Sequence, residues 1–315
     1  MRIITTILFL FFTYHSTAQQ DNQYTQFAYT RLNYNPAVAG LKDELSLTGR
    51  IRNQWSGIEG APQAQSLLIE FPTTFDKVGI CVIANRATIG IQERNDLAAM
   101  YAYKVKLQEA TISFGLQVSF RQFINDFTRP GLIAIDGFDQ DASLTRQRFS
   151  TNIFNLGVGA FLDSKRYYLG IAVPRYLRSN IDVNQDNNGS REVRHIYGMF
   201  GLKFNLSSNW KTEPQFLLKL AEQAPFDLDI QNNFIYQDQV HLGFNIRAGG
   251  IQESLFESFA LLIGFKFTEE IFASLSYDFN TTTLRQFEEG SFEVLLSYNI
   301  GKDRTPQDIQ NPRYF

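Results

Sequence analysis

The chain has 315 residues, of which 19% are charged and 44% hydrophobic, with a formal net charge of −3. That balance excludes a basic nucleic-acid scaffold, and with 29 Phe and 14 Tyr it excludes a disordered chain. A mean hydropathy of −0.20 is too polar for a bundle of membrane helices, whereas 14% aromatic residues suit a β-rich protein, soluble or membrane-inserted.

Met1-Arg2 supplies one positive charge, Ile3 to Phe12 is an apolar run broken by Thr5 and Thr6, and Ser16-Thr17-Ala18 is a small-residue cleavage site. This is the layout of a secretory signal over residues 1–18, too short for the ~20 residues that a membrane-spanning helix needs. No cysteine stands at the cleavage site, so a lipid anchor is not expected. The one cysteine, Cys81, excludes an intrachain disulfide and a cysteine-based zinc cluster. With His15 in the signal, His195 and His241 are the histidines left for chemistry.

From Leu45 onward the chain alternates apolar and polar residues with period two, as in Ile112, Phe114, Leu116, Val118 and Phe120 against Ser113, Gly115, Gln117, Ser119 and Arg121. This pattern predicts β-strands with one apolar and one polar face. Fourteen are expected, near 44–52, 64–71, 77–85, 96–107, 110–121, 152–162, 165–173, 195–206, 210–220, 225–235, 238–248, 257–267, 270–279 and 290–301. Many reach the ~9–11 residues of a tilted membrane strand rather than the ~5–6 of a globular one. Short links such as Asp163-Ser164 and Tyr236-Gln237 alternate with longer ones at 53–63, 86–95, 122–151, 174–194, 249–256 and 280–289. Short turns at one end and long loops at the other are the habit of an outer-membrane barrel, whose two chain ends lie on the periplasmic, short-turn side.

The charges favour the barrel over a soluble periplasmic β-sandwich. Arg50, Arg52, Glu70, Lys104, Lys106, Arg121, Lys203, Lys219, Asp227, Asp229, Arg247, Lys266, Asp278 and Glu293 all fall on the polar register. On a lipid-facing register a mid-plane Lys or Arg would cost ~2–4 kcal/mol. Asn232, on the apolar register, is an exception with no sequence-level explanation. Trp55, Trp210, Tyr167, Tyr236 and Tyr277 fit interfacial aromatic girdles. The expected organisation is a signal at 1–18, a periplasmic or lumen-inserted segment at 19–43, an antiparallel barrel at 44–301 and a periplasmic tail at 302–315.

Three stretches near the amino terminus carry a resemblance: Gln23-Tyr24-Thr25-Gln26-Phe27, Asn33-Tyr34-Asn35-Pro36-Ala37-Val38-Ala39-Gly40, and Arg52-Asn53-Gln54-Trp55-Ser56-Gly57-Ile58-Glu59-Gly60-Ala61-Pro62. They resemble the opening of the PorP/SprF family, outer-membrane proteins of the type IX secretion and gliding-motility apparatus. Later stretches, Tyr168 to Pro174, Leu275 to Phe279, Gly290 to Val294 and Asn311 to Phe315, extend the resemblance over the mature chain. It implies the outer membrane of a Gram-negative bacterium, contact with lipid and with other type IX components, and a secreted surface protein with a type IX sorting domain as partner.

The residues expected to bind a partner are Tyr24, Phe27, Asn35, Pro36, Arg52, Asn53, Gln54, Trp55, Gly57, Gly60 and Pro62. Asn35-Pro36-Ala37 reads either as a structured entry turn or as part of a docking segment. Gly79, Cys81 and Ile83, apolar on the polar register of the third strand, need a cover if they face a lumen, which favours insertion of 19–43. The loop from Arg52 to Pro62 folds inward on lumen charges or stands outward as a cargo contact, with Trp55 as its apolar anchor; inward packing is favoured.

Asp182, Asn184 and Asp186 place oxygens at every second position, as a calcium loop does, but Asn187 and Val193 stand where such a loop has Gly and Glu. Solvated loop acids are the simpler reading there and at Asp136, Asp139 and Asp141. No phosphate loop, nucleophile elbow or metal-spaced histidine pair occurs, so no cofactor and no catalysis are expected. The functional expectation is protein–protein recognition of an adhesin-like cargo that the barrel binds, anchors or helps secrete, with a passive porin or small-solute transporter as the alternative.

Overall fold

The computed structural model describes residues 22–42, 44–73, 77–129, 147–179, 181, 192–222, 224–251 and 254–300. The signal, the acidic stretches at 136–141 and 182–186, and the tail after 300 lie outside them. Fourteen strands follow one another: β1 (Leu45–Asn53), β2 (Gln63–Phe71), β3 (Val78–Ile89), β4 (Gln92–Lys106), β5 (Ala110–Asp126), β6 (Arg148–Ser164) and β7 (Tyr167–Val173). Then come β8 (His195–Leu202, resumed at Phe204–Asn205), β9 (Trp210–Ala221), β10 (Asp227–Tyr236), β11 (Val240–Ile251), β12 (Ser254–Lys266), β13 (Ile271–Asn280) and β14 (Ser291–Ile300). Each pairs antiparallel with its sequence neighbour, and β14 pairs with β1 from Leu45↔Ile300 to Asn53↔Phe292, so the sheet closes into a barrel. Among the described residues no helix is long and apolar enough to cross a membrane.

The period-two pattern maps onto the two faces of the wall. Leu97, Tyr101, Tyr103 and Val105 of β4 and Phe114, Leu116, Val118 and Phe120 of β5 point outward and are exposed, up to 59% at Leu116. Arg50, Arg52, Lys104, Asp229, Arg247 and Glu293 point inward and are buried. The apolar outer register runs from Leu97 to Val105 on β4. At ~3.3 Å per residue and a ~40° tilt that is an apolar band roughly 20 Å tall, close to the ~25 Å of outer-membrane barrels.

Its upper limit follows the strand register. Leu67, Ala84, Leu97, Phe120 and Phe154 pair in one row, and two residues higher Gln65, Arg86, Asn95, Gln122 and Asn152 pair in the next. This row explains where the sequence reading of the loops departs from the structure. The expected link 86–95 is a tight turn at Gly90-Ile91, β5 and β6 continue to Asp126 and from Arg148, and β11 and β12 run to Ile251 and from Ser254. Beyond the apolar row β3, β4 and β5 keep their pairing while Arg86, Glu93, Asn95 and Gln122 break the alternation that marked the strands in the sequence.

Asn232 does face outward, but its Oδ1 accepts from the Thr212 hydroxyl at 2.9 Å, so its amide oxygen is satisfied within the wall. Trp210 and Tyr236 pack with ring centroids 4.9 Å apart and planes tilted by 46° by the short-turn end, where an interfacial girdle belongs.

Candidate functional site

Residues 22–42 lie inside the barrel as three single 3₁₀ turns, Phe27–Tyr29, Arg31–Asn33 and Pro36–Val38. The segment begins near the outer ends of β1 and β13 and reaches Lys42, which pairs with Glu70 at the short-turn end. Two kinds of inner wall receive it.

The first wall is ionic. Arg52 on β1 pairs with Asp278 on β13 at 2.6 Å and with Glu293 on β14 at 3.3 Å. Arg247 on β11 pairs with Asp229 on β10 at 2.9 Å, and Lys219 on β9 meets both Asp229 and Asp227. The inserted chain completes these groups. The Thr25 and Gln26 backbone N–H groups donate to the Glu293 carboxylate at 2.9 and 3.2 Å, and the Thr25 hydroxyl donates to Asp278 at 2.7 Å. Gln23 donates to Asp227 at 3.1 Å and accepts from Arg247 at 3.3 Å. Buried ion pairs are tolerated where further hydrogen bonds satisfy their remaining lone pairs.

The second wall is apolar. Leu68, Cys81, Ile83, Met100, Phe161, Tyr168, Met199 and Leu217 point inward from β2 to β9 and form one buried cluster with Phe27, Leu32, Tyr34, Ala37, Val38 and Ala39. Gly79 and Cys81 thus have a cover in this part of the chain. The approach is close: a Cβ on Gly79 would lie 2.0 Å from the Ala39 carbonyl oxygen, and one on Gly115 2.2 Å from the Ala37 nitrogen. Glycine alone permits backbone to lie on backbone at this distance. The Tyr34 ring packs edge-on to Tyr197 at 5.3 Å.

The residues singled out in the sequence fall into two groups. Tyr24, Phe27, Asn35, Pro36 and Arg52 are inside the lumen. The Arg50 guanidinium lies 3.2 Å above the Tyr24 ring, and Phe27 is wholly buried. Asn35 caps the turn that Pro36 begins, accepting from the Ala37 N–H at 2.9 Å and donating to the Ala160 and Ile171 carbonyls at 3.0 and 3.4 Å. Pro36 fits that first helical position because it lacks the N–H that would be unsatisfied there.

Asn53, Gln54, Trp55, Gly57, Gly60 and Pro62 are at the outer rim, away from Asn35 and Pro36. The Gln54 N–H donates to the Pro62 carbonyl at 2.9 Å, closing the loop. Trp55 is half-buried with φ +55, a left-handed backbone rare for a bulky residue. It is held by its N–H to the Ser291 hydroxyl at 3.0 Å and by Ser56 and Glu289, which bridge to the 281–290 loop at 2.8 Å. Above the ionic wall the rim encloses a cavity of about 560 Å³ lined in part by Arg52, Trp55, Arg247, Glu257 and Asp278.

One cluster was not singled out in the sequence. Glu192, from the 174–194 connection, enters the lumen to pair with Arg121 at 2.7 Å and Arg175 at 3.3 Å, and accepts from Asn155 at 2.9 Å. Arg121 also pairs with Asp96 at 2.5 Å. No period marks a loop glutamate that folds inward, so the pattern carried no signal for it. Among the described residues no three His, Cys, Asp or Glu side chains converge to hold a metal ion.

The model of the type IX secretion system membrane proteins PorP/SprF matches residues 16–298. The chain belongs to the PorP/SprF family. The match spans the inserted segment and almost the whole barrel, and family and fold together are those of an outer-membrane protein of the type IX secretion system. Comparison with curated proteins finds no match.

Among solved structures, the outer-membrane protein Omp33 of Acinetobacter baumannii is similar at 5% identity and a TM-score of 0.48, over 82% of this chain and 98% of that one. A FadL homologue of Pseudomonas aeruginosa is similar at 12% identity and 0.48, over 85% and 93%. The KdgM porin is similar at 8% and 0.38, over 81% and 99%. The barrel assignment rests on the strand pairing itself rather than on these distant likenesses.

Proposed function

We propose that this PorP/SprF-family barrel binds, anchors or helps secrete a cell-surface cargo protein by protein–protein recognition, after export and removal of residues 1–18. One observation carries the reading: residues 22–42 fill the middle of the lumen and are bonded to the walls around them, leaving a concave, loop-rimmed outer mouth. A filled lumen suits a docking platform better than a passage for solutes. The rim loop from Arg52 to Pro62, tied to 281–290, is the proposed contact outside, and the inserted segment holds the mouth in shape beneath it.

The test is a detergent extraction of the tagged protein from outer membranes, with co-purifying proteins identified by mass spectrometry. Recovery of a large surface protein carrying a type IX sorting domain is expected. Normal cargo display in both Trp55→Ala and a deletion of residues 19–43 would refute the mechanism. Steady single-channel conductance of the intact protein in a planar bilayer would turn the reading toward a porin.

A further inference from the structure

Asn232 stands where a polar side chain is costly. On the outer face of β10 it is the middle of five residues, with Leu228 and Ile230 on one side and Phe234 and Tyr236 on the other. Across the wall it pairs with Pro214 on β9 and Phe244 on β11, and Phe244 pairs in turn with Leu261 on β12. Gln65, Asn95, Gln122 and Asn152 also face outward, but in the polar row above the apolar band. Asn232 is set within the band itself.

Its amide is half used. The Oδ1 accepts from the Thr212 hydroxyl at 2.9 Å, whereas the Nδ2 group has no hydrogen-bond partner among the described residues. Two N–H donors and the second lone pair of the oxygen remain. Lipid cannot match them at this depth, because acyl chains carry no acceptor and the ester and headgroup oxygens lie at the edges of the band.

A second amide can match them, since an amide both donates and accepts. Two copies of this chain insert with the same orientation, so a two-fold axis relating them runs along the membrane normal and leaves each residue at its own depth. Asn232 of one copy then meets Asn232 of the other, and two Nδ2–H···Oδ1 bonds serve both amides at once. A different membrane protein would need an amide of its own at that depth, whereas a second copy always has one. The β9 neighbours also leave room. Thr212 and Pro214 are the smallest side chains of an outer face that otherwise carries Trp210, Phe216, Leu218 and Leu220, so a second wall can come within hydrogen-bond distance.

We propose that the barrel pairs with a second copy of itself through the outer face of β9–β11, with the two Asn232 amides joined at the two-fold axis. The contact uses neither the lumen nor the rim and goes beyond the recognition reading.

The test uses the full mature chain in the outer membranes of cells that produce it. Phe234, the next outward residue after Asn232, is replaced by photoreactive p-benzoylphenylalanine, and the product of irradiation is identified by mass spectrometry. A crosslinked homodimer is expected. The same replacement at Leu116, central on the outer face of β5 and five strands away, should give none. For the purified protein, sedimentation equilibrium in detergent should show a monomer–dimer equilibrium. Asn232→Leu removes both bonds and should weaken it about tenfold or more, while Asn232→Gln keeps an amide and should stay nearer the wild-type constant. Leucine suits a lipid-facing site, so the variant barrel folds.

Absence of a homodimer from the Phe234 position, or equal dimerisation of wild type and Asn232→Leu, overturns the proposal. A crosslink from that position to a different protein assigns the face to another partner and likewise overturns it. Each of these results leaves cargo capture in the extraction experiment unaffected, so failure here is distinct from failure of the recognition reading.

Discussion

Gly115→Ala adds one methyl group to the inner face of β5, where the structure leaves no room for it. Its nearest neighbours would be the Ala37 nitrogen at 2.2 Å, the Pro36 carbonyl carbon at 2.4 Å and the Ala37 Cα at 2.6 Å, all backbone and all well inside the 3.4 Å at which ordinary contact begins. No side chain can rotate away, so the Pro36–Val38 turn must lift by over an ångström. That lift stretches the Asn35 bonds to the Ala160 and Ile171 carbonyls and opens the shared cluster around Val38 and Ala39. Overpacking of this kind costs about 1–3 kcal/mol, which raises the population with the segment undocked about 5- to 150-fold.

Gly49→Ala is the control. It is the same chemical change on the outer face of β1, with nothing within 4 Å, and by strand propensity it is neutral or stabilising by up to about 1 kcal/mol. Cys81 supplies the readout, because this sole cysteine is fully buried in the cluster that the inserted segment completes. The rate of labelling by a polar maleimide should rise in Gly115→Ala by the factor above and stay at the wild-type value in Gly49→Ala. Equal labelling rates in the two variants would refute the argument that the glycine is there to admit the segment.

Other perturbations test other parts of the structure. Arg52→Ala leaves Asp278 and Glu293 buried without their guanidinium and should destabilise the barrel by about 3–5 kcal/mol in denaturant unfolding, with part of the loss restored by adding Glu293→Gln. Asn35→Ala removes the cap and two carbonyl contacts and should lower stability by about 1–2 kcal/mol, read as faster hydrogen exchange over residues 35–39. Trp55→Gly should be less destabilising than Trp55→Ala in thermal melts, since glycine adopts φ +55 without strain and alanine does not.

The strands were legible because a lipid-facing wall imposes a strict register: a slip of one residue would place a charge in hydrocarbon, and Arg50, Arg52, Lys104, Asp229, Arg247 and Glu293 all keep to the buried inner face. The strand ends above the membrane were not legible, because at Arg86, Glu93, Asn95 and Gln122 both faces are wet and the alternation that marks a strand is gone. Within the candidate site, Arg52 and Trp55 stood out by residue type and motif. Glu192 did not, since it is an ordinary loop acid until the loop folds inward.

The division of the lumen into two walls follows from what each can satisfy. A closed ring of fourteen strands encloses more space than inward side chains alone fill, and water there would compete for every ion pair. Residues 27–41 cover the apolar wall, where burial of a side chain such as Phe27 contributes roughly 1.5–3 kcal/mol. Residues 23–26 meet the ionic wall instead, and their backbone N–H groups supply the donors that Glu293 needs once water is displaced.

Gln26 is tied to the ionic wall twice, with its backbone N–H on the Glu293 carboxylate and its side-chain amide on the Glu293 carbonyl at 2.9 Å. The carboxylates inside the barrel and the segment inserted among them are therefore one design, in which neither is stable as placed without the other. An empty barrel with this ionic wall would hold Asp278 and Glu293 against Arg52 in water, where such pairs are worth at most about 1 kcal/mol.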